Sequence, residues 1–185
     1  MRTVRRVHAS GGTYFFTVVT AGRRPLLARP THVRSLRRAL VATQASHPFA
    51  IDALVMLPDH LHCIWTLPEG ESDFSLRWQL VKKRCAKLLE AQGLSIRGRR
   101  LWQPRFWEHL LRDADDLARH IDYIHYNPVR HGLVPRPRDW PFSSFHRFAR
   151  AGVYGPGWGE ADPVSIRRMP LEQGEPDRPR RECAT

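Results

Sequence analysis

The segment Met56-Leu57-Pro58-Asp59-His60-Leu61-His62-Cys63-Ile64-Trp65-Thr66-Leu67-Pro68 reads as a strand entered from a tight turn. Side chains on a strand alternate between its two faces. Leu61, Cys63, Trp65 and Leu67 therefore share an apolar face, and His60, His62, Ile64 and Thr66 share the other. Two imidazoles at i and i+2 stand roughly 6.5–7 Å apart at Cα, close enough for both to reach one divalent cation. A His-x-His pair alone is equally a packed or solvated pair. What the rest of the chain sets against that face has to discriminate.

Upstream, residues 49–56 alternate as a second strand, and Leu57-Pro58-Asp59 turns the chain back, so the two strands form an antiparallel hairpin. Further back, Thr13-Tyr14-Phe15-Phe16-Thr17-Val18-Val19-Thr20 is rich in β-branched and aromatic residues and apolar on both faces, which predicts a central strand. Between them, Thr31 is a candidate N-cap for a helix over 31–45, with Val33, Leu36 and Leu40 on its buried stripe. Downstream, Ser72 or Asp73 caps a second helix running to about Gln92, its stripe being Phe74, Trp78, Val81, Cys85 and Leu88. A fourth strand occupies the second half of 101–111, with Phe106, Glu108 and Leu110 on one side and Trp107, His109 and Leu111 on the other. Strand, helix, strand, strand, helix, strand is the order of a ferredoxin-like, split βαβ fold of the α+β class. Such a fold has an antiparallel sheet with two helices on one face and the other face open to a site.

A third helix starts at Asp113, with Asp115 and Asp116 in its first turn, and is expected to end at Asn127 because Pro128 follows. At about 100° per residue, Leu117, Ile121 and Ile124 face the core. Asp116, His120, Tyr123 and Asn127 line one edge of it, and Tyr126 points away toward solvent. Laid on the open sheet face, this helix brings Tyr123 and Asn127 toward His60 and His62. A last short helix ends near Ala151. The expected organisation is one domain over 1–152 and a basic, Pro-rich, poorly packed tail over 153–185.

The chain has 185 residues and a formal net charge of +12, and only three of its 30 basic residues are lysine. That excess calls for a polyanionic partner, nucleic acid first, and arginine grips phosphate in bidentate fashion. Arg5, Arg6, Arg77, Lys82, Arg84, Arg105 and Arg130 are candidate phosphate contacts. The three cysteines are odd in number and widely spaced, which excludes a disulfide framework and a cysteine zinc knuckle. With neither an 18-residue apolar run nor a signal-peptide pattern, a cytoplasmic, nucleoid-associated protein is expected.

The segments Gly12-Thr13-Tyr14-Phe15, Leu57-Pro58-Asp59-His60-Leu61-His62 and Trp102-Gln103-Pro104-Arg105-Phe106-Trp107-Glu108-His109 occur in that order. They are followed by Asp122-Tyr123-Ile124-His125-Tyr126-Asn127-Pro128-Val129-Arg130 and Trp140-Pro141-Phe142-Ser143-Ser144. With them the chain, over about 10–148, resembles the REP-associated tyrosine transposases, a branch of the single-tyrosine HUH transposases related to insertion-sequence transposases. The resemblance implies that His60 and His62 hold a metal, Mg²⁺ or Mn²⁺, with Asn127 as third ligand and Tyr123 as nucleophile. It implies action on single-stranded DNA hairpins through a 5′-phosphotyrosine link, by a monomer or a homodimer. Thr13 and Tyr14 fall in a first-strand motif that often carries tryptophan at the second position, and both are candidate DNA contacts. The competing readings are an inactive, domesticated hairpin-binding regulator and a zinc-dependent hydrolase. The latter lacks His-Glu-x-x-His and a third strong ligand.

Overall fold

The computed structural model describes residues 8–95 and 100–167. Arg5, Arg6 and residues 168–185 lie outside the described residues. The elements are β1 (Thr13–Val19), α1 (Pro30–Ser46), β2 (Ala50–Met56), β3 (His60–Thr66), α2 (Phe74–Glu90), β4 (Trp107–Leu110), α3 (Ala114–Arg130) and α4 (Phe145–Arg150). The four strands form one antiparallel sheet in the order β2-β3-β1-β4, the arrangement of the split βαβ fold. β1 and β3 are the central pair, with Val19 opposite His60 and Thr17 opposite His62.

Alternation along the two central strands builds two cores. Tyr14, Phe16 and Val18 of β1 join Leu61, Cys63 and Trp65 of β3 on one face, under Val33, Leu36 and Leu40 of α1 and Phe74, Trp78, Val81 and Cys85 of α2. Trp65 and Trp78 stack there with ring centroids 4.0 Å apart. The fully buried residue in the last turn of α2 is Leu89; Leu88 is half-buried beside it. On the other face Phe15, Val55 and Ile64 meet Tyr123, Ile124 and Tyr126 of α3. The open face of the sheet is thus closed by α3, as the helical stripe implies.

Three local features depart from the sequence expectation. Helix α1 starts one residue earlier than Thr31, with Pro30 at its first position and Arg29 as N-cap; proline's fixed φ and missing N–H suit that position. α2 is capped as expected, Asp73 accepting from the Leu76 amide at 2.8 Å. α3 does not stop at Asn127 but runs through Pro128 to Arg130. Proline there removes only its own amide from the last turn, and the end is secured instead by Gly132 at φ +67°. The Gly132 amide donates to the Val129 carbonyl and the Leu133 amide to that of Pro128, a Schellman closure.

Tyr126 is the third departure. It does not face solvent: it is 6% exposed and its hydroxyl donates to Asp162 Oδ1. The segment 154–167, expected to be poorly packed, lies across α3 with Tyr154 and Ile166 buried and Trp158 half-buried. A buried polar chain fastens it. Ser165 Oγ and Tyr154 Oη donate to the two oxygens of Asp122, at 2.6 and 2.9 Å. The His125 ring spans Tyr154 Oη (2.9 Å) and Ser144 Oγ (2.7 Å), and Ser144 Oγ accepts from the Leu54 amide of β2. No helix among the described residues is long and apolar enough to cross a membrane.

Candidate active site

The first of the two histidines is set by the turn before it. The Asp59 carbonyl accepts from both the amide and the hydroxyl of Thr20, pinning the turn to the end of β1. The Asp59 carboxylate then faces Arg23 Nη1 at 3.0 Å and His60 Nδ1 at 2.6 Å. Burial alone would raise the Asp59 carboxyl, but the hydrogen bond and charge of His60 and those of Arg23 more than offset it and hold it at about 2. Burial also lowers His60, despite Asp59, so the ring stays neutral near pH 7. Nδ1–H donates to the carboxylate, and Nε2 keeps its lone pair. A carboxylate that holds the far ring nitrogen in this way is the usual support of a metal-binding imidazole. His62 is anchored from β1, its Nδ1 lying 2.9 Å from Thr17 Oγ1. The two rings stand edge to face with centroids 4.9 Å apart.

α3 brings the rest. The Tyr123 ring lies 5.3 Å from that of His62 and 5.9 Å from that of Phe15. Asn127, one turn on, is fully buried. His60 Nε2 and both amide atoms of Asn127 are buried polar atoms without a hydrogen-bond partner. Unpaired polar atoms in a protein interior cost about 1–3 kcal/mol each unless something else satisfies them. Two imidazole nitrogens and a carboxamide oxygen are donors a divalent cation accepts, so these residues fit the ion that the resemblance implies. At the C-terminal end of α3, the Arg130 guanidinium sits 5.2 Å over the Tyr123 ring and the His131 ring 5.1 Å from that of His60.

The remaining candidates separate. Tyr14 points to the helix-covered face, is fully buried in the core, and donates to the Ala9 carbonyl at 3.2 Å. Thr13 Oγ1 pairs with Thr66 Oγ1 at 2.9 Å. Arg77 is 2% exposed and donates to the Pro48 and Asp73 carbonyls. Arg84 bridges α2 to Thr43 and Ser46 of α1, and Lys82 donates to the Gln103 carbonyl at 3.0 Å. These three cations brace the fold where a phosphate contact was expected. Arg105 is exposed.

Sequence reading treated Asp59 as a turn residue only, and its position next to His60 was the available signal. It also left His109 apart from the α3 stripe, whereas His109, Asp116 and His120 come together beside the site, their candidate ligand atoms all within 4.8 Å of one another.

No family model matches the chain. A REP-associated tyrosine transposase of Escherichia coli K12 is 48% identical over 158 residues, 85% of this chain and 91% of the relative. A protein of Haemophilus influenzae named for the same family is 38% identical over 174 residues, 90% of this chain and 98% of the relative. The solved structure of a REP-associated tyrosine transposase bound to a REP hairpin superposes with a TM-score of 0.76 at 45% identity, covering 91% of this chain and 99% of that one. With sequence and fold matching over nearly the full length of these relatives, the chain belongs to the REP-associated tyrosine transposases.

Proposed function

We propose that this protein cleaves and rejoins single-stranded DNA at hairpins, with Tyr123 as nucleophile and His60, His62 and Asn127 as the holders of Mg²⁺ or Mn²⁺. The observation that carries the reading is the Tyr123 ring 5.3 Å from that of His62, with His60 Nε2 and the carboxamide of Asn127, one helical turn beyond Tyr123, buried and unpartnered. The hairpin-bound relative supports the substrate class.

The bound ion would supply charge neutralisation at a non-bridging phosphate oxygen. Manganese suits a ligand set of two imidazoles and an amide oxygen better than magnesium does. Asp59 keeps His60 in the tautomer that offers Nε2, and Arg130 places a guanidinium where a phosphate meets Tyr123. Tyr123 Oη loses its proton and attacks phosphorus in line. The bond to the 3′ oxygen breaks, that oxygen leaves as a hydroxyl, and the 5′ phosphate stays on the tyrosine. Attack by another 3′-hydroxyl reverses the step and joins strands, because the link keeps the phosphoester. One chain supplies all four groups, so the chemistry needs no second copy. Acting on DNA, the protein works at the nucleoid.

The test is a denaturing gel of the protein with an end-labelled single-stranded hairpin and Mn²⁺. Wild type should give a shifted covalent adduct that peptide mass spectrometry maps to Tyr123. Tyr123→Phe should bind the hairpin and give neither adduct nor cleavage. An adduct on Tyr126 would overturn the assignment. Hairpin binding by the wild type without cleavage in either metal would replace it with a non-catalytic, DNA-binding role.

A further inference from the structure

A second cluster of metal-type donors stands beside the site and takes no part in the chemistry above. The Asp116 carboxylate, in the first turn of α3, faces His109 Nε2 of β4 at 3.0 Å through one oxygen and His120 Nδ1 at 3.2 Å through the other. The rings of His109 and His120 stack with centroids 5.0 Å apart. His120 Nδ1 also lies 2.8 Å from the Asp116 carbonyl. Donating there leaves the lone pair on His120 Nε2, the orientation in which a backbone carbonyl holds a ligating histidine. Asp116 and His120 are buried, and the His109 side chain is 27% exposed. Bonds of about 2.0–2.2 Å place tetrahedral ligand atoms roughly 3.3–3.5 Å apart. The three residues, each with a ligand atom within 4.8 Å of the others, reach that spacing by side-chain movement of about 1 Å.

We propose that His109, Asp116 and His120 form a second metal site, for a borderline divalent cation of the zinc type. Two imidazoles and one carboxylate select zinc or cobalt over magnesium. On binding, His109 Nε2 exchanges its hydrogen bond to Asp116 for the ion, its proton moving to Nδ1. The partly exposed His109 leaves a fourth position to water. The ion ties the end of β4 to the start of α3, one turn before Tyr123, so its role is to position that helix. The site is distinct from the first. The Phe15 ring lies between them, 5.5 Å from that of His62 and 4.9 Å from that of His120.

The experiment uses full-length protein carrying His60→Ala and His62→Ala, which removes the first site. After equilibration with zinc and desalting, elemental analysis should find about one zinc per chain, and zinc should raise Tm. Adding His109→Gln and His120→Gln should weaken zinc binding at least about tenfold and abolish the Tm rise. Cobalt should give the visible absorption of a four-coordinate ion in the His60→Ala/His62→Ala protein. His109→Gln alone, a change at a partly exposed strand position that folding tolerates, should remove it. A zinc-free His60→Ala/His62→Ala protein, or zinc and cobalt signals unchanged by the His109 and His120 substitutions, would overturn the proposal and leave a hydrogen-bonded His–Asp–His cluster. Neither result bears on cleavage at Tyr123.

Discussion

Neutral His125 is the keystone of the segment that covers α3, and acid should loosen it. Tyr154 Oη donates to Asp122, so it accepts from His125 Nδ1–H, and His125 Nε2 then accepts from Ser144 Oγ. That chain of donors has no place for a second imidazole proton. Burial, with the nearby charges of Arg147 and His146, pushes His125 down to about 3, against about 6.5 for a free histidine. Between those values the unfolded chain binds a proton that the folded chain does not. The contribution is therefore complete above pH 6.5 and is lost as pH falls, at up to about 1.4 kcal/mol per pH unit. From pH 7 to pH 5 the loss attributable to His125 is about 2 kcal/mol. Urea titrations followed by tryptophan fluorescence at both pH values measure it, comparing wild type with His125→Gln. The variant should be less stable at pH 7 and lose about 2 kcal/mol less than wild type on going to pH 5. His60 and His120, also lowered by burial, are common to both proteins and cancel in the difference. Equal losses in wild type and variant would refute the neutral, proton-chain assignment.

Asp59→Asn should weaken Mn²⁺ binding by about 10–100-fold in calorimetry while leaving the circular dichroism spectrum unchanged, since only the carboxylate orienting His60 is altered. Hairpin binding should fall steeply with salt for a chain of net charge +12, and a flat plot of log K against log salt would count against a phosphate-led interface. Arg77→Ala should cost about 1–3 kcal/mol of folding stability, by removing the buried guanidinium's hydrogen bonds to the Pro48 and Asp73 carbonyls, without changing that salt slope. Gly132→Ala should cost about 1 kcal/mol by chemical denaturation, from the left-handed backbone alone, as a Cβ there meets nothing within 4 Å.

The strand order, both sheet faces and the inward turn of α3 were legible because each rests on a short-period pattern. Alternation in His60–Thr66 assigns Leu61 and Trp65 to one core and Ile64 to the other, as found. The shared face of His60 and His62 was legible for the same reason, while Asp59, adjacent in sequence, acts on His60 through its side chain. The basic residues were not separable by pattern. Arg77 and an exposed arginine look alike in sequence, and it is the Pro48 and Asp73 carbonyls that make Arg77 a structural residue. The end of α3 was misread because the rule for residues before proline weighs the lost bond and neglects the Gly132 closure that compensates for it.

Tyr126 shows where a helical wheel stops being informative. The wheel locates a residue relative to one core, and it put Tyr126 away from the sheet and toward solvent, whereas the ring is buried in the cluster that also holds Tyr123, Ile124 and Ile166. It cannot tell whether that far side meets water or another segment. The covering segment has few apolar residues, chiefly Tyr154, Trp158 and Ile166, set among glycines, prolines and charges, so its composition hides its packing. Exposure therefore does not choose between the two tyrosines of α3, at 1% for Tyr123 and 6% for Tyr126. What separates them is the chemistry each ring meets. Tyr126 Oη is committed to Asp162, a carboxylate that would repel a phosphate, whereas Tyr123 stands between His62 and the Arg130 guanidinium. A phosphodiester carries its charge to the second environment and away from the first, and on that ground we propose Tyr123 as the nucleophile.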